Sequence, residues 1–255
     1  MRSPLPRTSF NSPRLVRLLA ALDVDDVAES KQSFAERLGQ WLDLNDAIAL
    51  SGTLHAGAGG SPAARSRALG PVEEQFARVR ASLIDSIATD GVFKPGRARI
   101  KLPVPAAGAT LATADFAPYR RYYAAHQRDM EASIGPLRAN LRAALVEHSP
   151  ALRQLADLDA VIDKALGERE RNLLATVPQR LEQRYRQLRQ AYAEALAEAP
   201  QADDPERWLQ PGGWLAAFCR DLQAVLLAEL ELRLQPAAGL LAAIAGSAPS
   251  AATAE

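Results

Sequence analysis

The sequence predicts an all-α protein, an elongated helical bundle that contains a long antiparallel helical hairpin. Alanine and leucine, two strong helix formers, supply 51 and 36 of the 255 residues. Aromatic residues make up only 5% of the chain, and the β-branched and aromatic types that strands favour are scarce. Apolar residues recur at steps of three and four over long stretches, which is the pattern of helices packed along one face.

The first 55 residues are predicted to form a unit of short helices. Ser12-Pro13 is typical of an N-cap followed by proline at the first helical position. A capping-box pattern that begins at Ser33 predicts a second helix. Asn45 or Asp46 can cap a third, so this part of the chain should carry three helices.

Residues 56–114 are predicted to be flexible connections on either side of one helix over 71–89. Glycine and small residues dominate the first connection, and proline and glycine recur in the second. The first connection lacks the Gly-Lys-Ser/Thr signature of a phosphate loop, so we expect no nucleotide site there.

The longest ordered signal lies between residues 115 and 199, where two apolar stripes follow one another. Asp115 can cap the first helix, and Gly135-Pro136 should kink it. Ser149-Pro150 should start a short helical turn. The second stripe begins at Leu158, and Pro178, which lies inside it, should bend or break it. Two long helices joined by a short connection predict an antiparallel hairpin.

A last helix follows a Pro-Gly turn and completes a block over 115–245, while residues 246–255 should be a disordered tail. Its apolar face is broad, so it must be covered on more than one side, by the hairpin, by self-association or by both. Tryptophan is common at protein interfaces, and two tryptophans flank the turn. The protein-interface candidates are Trp208, Trp214, Phe218, Leu222 and Leu226.

Charge and cysteine content argue for a cytoplasmic protein that does not insert into membranes. Thirty basic residues balance thirty acidic ones, so no global field attracts nucleic acid or an anionic membrane. The single cysteine, Cys219, allows no intramolecular disulfide. No apolar run reaches the length that a bilayer requires, and the N-terminus does not match a secretory signal.

The chemistry-bearing residues do not form a recognisable catalytic or metal pattern, so we expect neither an enzyme nor a cofactor. The histidines His55, His126 and His148 lack metal-ligand spacing. His126 falls in an apolar stripe, which predicts a buried or interface histidine. Cys219 lies beside Phe218 in the last helix, which predicts a buried, small apolar side chain.

The leading hypothesis is a scaffold or adaptor that acts through helix-mediated contacts with protein partners, with homo-oligomerisation also open. The alternative is a nucleic-acid-associated protein, with Arg180, Arg184 and Arg186 on an arginine-rich helix assisting a basic loop. That loop has four basic residues within eight positions: Lys94, Arg97, Arg99 and Lys101.

Short runs in the N-terminal part carry a family resemblance. They are Arg7-Thr8, Ser12-Pro13, Leu15-Val16-Arg17-Leu18-Leu19, Glu29-Ser30, Phe34-Ala35-Glu36-Arg37-Leu38, Trp41-Leu42 and Asp46-Ala47-Ile48-Ala49-Leu50. These runs resemble an uncharacterised bacterial domain-of-unknown-function family, whose members have similar length and match along most of the chain. No catalytic residues are carried over from that family. The resemblance implies an accessory role in an envelope-linked assembly, because members are encoded near proton-channel-like and OmpA-like proteins.

Overall fold

A computed structural model describes residues 13–22, 44–55, 70–198 and 203–246, and the regular secondary structure in these ranges is all α-helical. This confirms the predicted fold class. The helices are α1 (Arg14–Ala21), α2 (Leu44–His55), α3 (Gly70–Ala88), α4 (Ala117–His148), α5 (Pro150–Leu174), α6 (Val177–Glu198), α7 (Pro205–Trp208) and α8 (Trp214–Gly246). Among these helices, none combines the length and the apolar character that crossing a bilayer requires.

Two predicted capping residues lie at helix starts, and the short turn predicted at Ser149 is instead the start of the longer helix α5. The Asp115 carboxylate accepts a hydrogen bond from the backbone N–H of Ala117 at 3.1 Å, at the beginning of α4. The Ser149 hydroxyl accepts the backbone N–H of Leu152 at 3.2 Å, at the beginning of α5. Each side chain satisfies an N–H that has no partner within its own helix.

Prolines act differently at two positions. Pro136 lies inside α4, which continues through it as one helix. The second stripe breaks between α5 and α6, at Ala175 and Thr176, and Pro178 is the second residue of α6. Proline is tolerated in the first turn of a helix, where its missing N–H costs no intrahelical bond, so the break precedes Pro178.

The N-terminal helices are described only in part. Pro13 occupies the N-cap of α1, without a side-chain hydrogen bond to the helix. The predicted cap at Ser12, the capping box at Ser33, the first flexible connection over 56–69 and the tail beyond Gly246 lie outside the described residues.

The chain forms two compact units. Within the described ranges, unit 1 comprises residues 13–22, 82–130, 175–198 and 203–232. Unit 2 comprises residues 44–55, 70–81, 131–174 and 233–246.

Unit 2 contains the closed end of the predicted hairpin, where an ionic clasp joins α4 and α5. Arg138 makes a two-bond contact with Asp159, at 2.7 and 2.9 Å, and a third bond to Asp163 at 2.8 Å. Arg142 reaches both aspartates at 3.0 Å. The two arginines lie about as far before the α4–α5 connection as the two aspartates lie after it. The two helices are therefore antiparallel. The contact joins charges that are mostly buried, since Arg138 and Asp159 expose only 13% and 11% of their side chains.

The short helix α2 packs on α5 in the same unit. The Gln154 side-chain amide donates to the carbonyl oxygens of Thr53 and Leu54, at 2.9 and 3.2 Å. These carbonyls lie in the last turn of α2, where no intrahelical donor remains for them. Gln154 therefore caps the C-terminal end of α2.

Candidate functional site

A cluster of aromatic rings forms the centre of unit 1. The ring of Tyr185, on α6, lies 5.7 Å from that of Phe116 and 5.8 Å from that of Tyr119. It also lies 5.2 Å from the ring of Trp214 and 5.1 Å from that of Phe218, both in edge-to-face geometry. Tilted and edge-to-face contacts between rings contribute favourable energy beyond that of their buried area. The cluster therefore helps to hold α4, α6 and α8 together.

A pocket of about 400 Å³ opens beside this cluster. Segment 103–109, in the loop between α3 and α4, lines one side of it, and Tyr119, Tyr185, Trp208 and Leu215 line another. Its volume falls in the range of roughly 300–1,000 Å³ that is typical of ligand pockets. We call it the unit 1 pocket.

Hydrogen bonds from α6 and from the segment before α7 hold the end of this loop, at Leu111 and Ala114. Asp203 accepts the backbone N–H of Leu111 at 3.0 Å and the indole N–H of Trp208 at 2.9 Å. The Arg189 guanidinium donates to the carbonyl oxygen of Ala114 at 3.0 Å. Both α6 and the segment before α7 are thus joined to the loop that lines the pocket.

A tight turn before α8 sets the spacing of the two tryptophans. Gly212 has φ +91°, in the left-handed region that favours glycine. A Cβ atom on Gly213 would overlap the carbonyl oxygens of Arg207 and Trp208. These two glycines let the chain reverse so closely that the rings of Trp208 and Trp214 meet at 5.5 Å.

The phenol groups of the pocket stay protonated at neutral pH. Burial raises the pKa of Tyr185 to about 12, against an opposing effect of Arg189. Burial also raises the pKa of Tyr119 far above its ordinary value. Both hydroxyls therefore offer a proton for hydrogen bonding. The charged side chain in the lining is Asp115, the capping residue of α4.

The interface candidates lie in the interior of unit 1, not on its surface. Their exposed fractions are 6% or less for Trp208, Trp214, Phe218, Leu222 and Leu226. The broad apolar face of α8 is covered by the chain itself, so these side chains do not present a surface to a partner. Trp208 contributes to the wall of the unit 1 pocket.

A family model described as a protein of unknown function (DUF3348) matches residues 1–246. The chain belongs to this family. The match confirms the resemblance to an uncharacterised domain-of-unknown-function family. No curated protein and no solved structure matches the chain.

The second predicted connection is organised by a buried carboxylate in this DUF3348 chain. Asp90, only 5% exposed, accepts the backbone N–H groups of Val92, Phe93 and Lys94 at 2.7, 2.8 and 3.2 Å. An aspartate that follows a helix and binds the next backbone donors is a common turn former. An Asp-Gly pair is a turn signal that a sequence can show, and Asp90-Gly91 is such a pair.

The four basic residues of this loop divide into two groups. Lys94 pairs with Asp85 at 3.8 Å, and Arg99 forms a two-bond contact with Asp129 while also donating to Ser86 at 3.2 Å. Arg97 and Lys101 are exposed and make no ion pair with another described residue. Among the helical arginines of the alternative hypothesis, Arg184 binds Asp221 at 2.9 Å and Arg186 binds Glu182 at 2.6 Å.

The buried histidine and cysteine are where the apolar stripes predicted them. His126 is 1% exposed, its Nε2 atom has no hydrogen-bond partner, and burial lowers its pKa to about 4. Cys219 is 3% exposed, and burial raises the pKa of its thiol to about 12. Within the described ranges, no group of three or more His, Cys, Asp or Glu side chains could hold a metal ion.

Sequence analysis overlooked three residues of the pocket region. Tyr119 and Tyr185 belong to apolar stripes, where a tyrosine is expected simply to fill space. Asp203 precedes the α7 cap, and only the fold shows that it binds a loop 92 residues away. The Asp-Asp-Pro run before α7 is a local signal for a helix start, but it does not indicate that Asp203 binds the loop.

Proposed function

We propose that this chain is a non-enzymatic cytoplasmic adaptor, and that the unit 1 pocket is where a segment of a protein partner docks. The observation that supports this proposal is the pocket itself, formed between a buried aromatic cluster and a loop that side chains hold in place. A loop that side chains already hold loses less freedom on binding, so more of the interaction free energy is kept as affinity.

The size and lining of the pocket favour a polypeptide segment. A volume of about 400 Å³ accommodates one large side chain together with the backbone that carries it. Proline, alanine, valine and leucine side chains surround the aromatic wall and offer an apolar surface. Anchoring by a single large apolar side chain in a desolvated pocket is how many interfaces gain most of their affinity.

The family resemblance suggests the setting. Its implied accessory role in an envelope-linked assembly is compatible with an adaptor that binds the cytoplasmic part of such an assembly. The nucleic-acid alternative has less support, because Lys94 and Arg99 already bind carboxylates.

The test is site-specific photo-crosslinking in the native host. Benzoylphenylalanine replaces Val104, which lines the pocket and is 59% exposed. The control probe replaces Leu173, which is 57% exposed on α5 of unit 2. We expect one discrete protein adduct at Val104 that is absent at Leu173.

A second substitution decides whether the adduct depends on the pocket. Ala109→Trp introduces a large ring from the pocket lining, whereas Ala195→Trp introduces the same ring on the exposed face of α6, outside that lining. The adduct should disappear in the first variant and persist in the second. An adduct that survives Ala109→Trp, an adduct with a second copy of this chain, or no adduct at all would overturn the proposal. Ala106→Trp replaces Ala109→Trp if the latter does not fold.

A further inference from the structure

Two tyrosines that line the pocket have hydroxyl groups without a hydrogen-bond partner among the described residues. Tyr119 and Tyr185 are 4% and 3% exposed and both line the unit 1 pocket. Neither hydroxyl makes a hydrogen bond to another described residue, whereas the nearby buried hydroxyl of Tyr123 donates to Glu229 at 2.5 Å. The fully buried side-chain polar atoms without a partner in the described ranges are His126 Nε2 and Trp214 Nε1, so the hydroxyls of Tyr119 and Tyr185 remain accessible and can donate to a group that enters the pocket.

The charge state of the lining restricts what that partner can be. Both phenols are protonated, so each can donate a hydrogen bond to an acceptor. The carboxylate of Asp115 lies in the same lining and disfavours an anionic ligand. The complementary acceptor is therefore a neutral oxygen, and the commonest neutral acceptor in proteins is the backbone carbonyl.

We infer that the unit 1 pocket recognises a neutral peptide segment, whose backbone carbonyl oxygens accept hydrogen bonds from Tyr119 and Tyr185 while one large apolar side chain packs beside Leu215. This inference rests on the proposed docking function and names the chemistry of the docked segment. Apolar packing supplies the burial, and the two donors fix the direction and register of the segment.

The experiment uses N-acetyl-tryptophanamide as the probe, titrated into the full chain and followed by saturation-transfer NMR. The probe carries one large apolar side chain and two neutral amide carbonyls. A compound of this size should bind with a dissociation constant of about 0.1–10 mM. N-acetyl-tryptophan differs by a carboxylate and should bind more weakly, because Asp115 repels it.

Hydroxyl deletions test the assignment to the two tyrosines. Each single change, Tyr119→Phe or Tyr185→Phe, should weaken binding of the amide about five-fold, and the double variant about ten- to thirty-fold. Tyr192→Phe removes a hydroxyl that lies 3.5 Å from Asp203 and outside the pocket lining, and should leave binding unchanged. Replacement of tyrosine by phenylalanine removes a single oxygen atom, so each variant should retain the wild-type fold by circular dichroism.

The outcomes separate this inference from the docking function itself. If Ala109→Trp abolishes binding of the amide while the double phenylalanine variant binds as wild type does, carbonyl recognition is wrong and docking in the pocket stands. A probe concentration of about 20 mM exceeds the weakest expected dissociation constant. If the amide does not bind the wild-type chain at that concentration, the inference is wrong whatever the crosslinking shows. If Ala109→Trp binds the amide as wild type does, the probe is not in the pocket and the inference also fails.

Discussion

The stability of unit 1 should fall as the pH is lowered from neutral toward 5, because of His126. This imidazole is 1% exposed, packs edge-to-face on the ring of Tyr122 at 4.6 Å, and has no partner for Nε2. Burial lowers its pKa from 6.5 to about 4, since the interior disfavours the charged form. The attraction of Asp129 and the repulsion of Arg99 act in opposite directions on this pKa.

The sign and the size of the effect follow from these two pKa values. The unfolded chain takes up a proton on His126 near pH 6.5, whereas the folded chain resists protonation until about pH 4. The contribution of His126 to the free energy of unfolding is therefore fully present above pH 6.5, and it is lost progressively as the pH falls from 6.5 toward 4. Between pH 7.5 and pH 5 the loss in the free energy of unfolding is about 2 kcal/mol.

Urea unfolding followed by tryptophan fluorescence measures this loss. A Trp41→Phe background leaves Trp208 and Trp214, which both lie in unit 1. Carboxylates also titrate near pH 5, so the comparison is with His126→Phe, which keeps a ring against Tyr122 but cannot take up a proton. The wild-type chain should lose about 2 kcal/mol more than His126→Phe between pH 7.5 and pH 5. Equal losses in the two chains would refute the reasoning, because His126 would then titrate alike in the folded and unfolded states.

Two further predictions concern the turn before α8 and the clasp of unit 2. Gly213→Ala should destabilise the chain by at least about 2 kcal/mol, since the added methyl overlaps two carbonyl oxygens. Gly239→Ala, in α8 with open space around it, should stabilise the chain by about 0.5–1 kcal/mol. The melting temperatures of the two variants should therefore shift in opposite directions, and equal shifts would contradict the turn geometry. For the clasp, a double-mutant cycle with Arg138→Met and Asp159→Asn should give a coupling free energy of about 1–2 kcal/mol, between the values for exposed and buried pairs. A coupling below about 0.3 kcal/mol would show that the ion pair does not hold the hairpin together.

Local signals predicted several of the described helices closely, although Asn45 and Asp46, predicted as caps, lie within the first turn of α2. The helix predicted over 71–89 is α3, at 70–88, and the caps at Asp115 and Ser149 lie at the starts of α4 and α5. A cap involves residues within a few positions of one another, so a single sequence contains both partners. The break before Pro178 follows from the same kind of short-range rule.

Long-range pairing could not be predicted, because nothing in the sequence names the partner of a side chain. The basic loop illustrates this: Arg99 meets a carboxylate 30 residues away, and the local count of positive charges concealed that pairing. The apolar face of α8 illustrates it again. A broad apolar face shows that a helix must be covered, but whether the cover is the same chain or another one depends on the fold.

The unit 1 pocket depends on long-range contacts of this kind, and one of its sides is a segment for which the sequence predicts only a connection. Helices rich in alanine and leucine pack with few polar groups between them, so their interior offers little to distinguish one ligand from another. The loop between α3 and α4 brings backbone and small side chains against rings from α4 and α6. Loops held on a rigid scaffold are the usual carriers of binding sites. The recognition chemistry that we propose lies where the longest described non-helical segment meets the scarce aromatic residues, and the hydroxyls of Tyr119 and Tyr185 are the groups whose removal tests it.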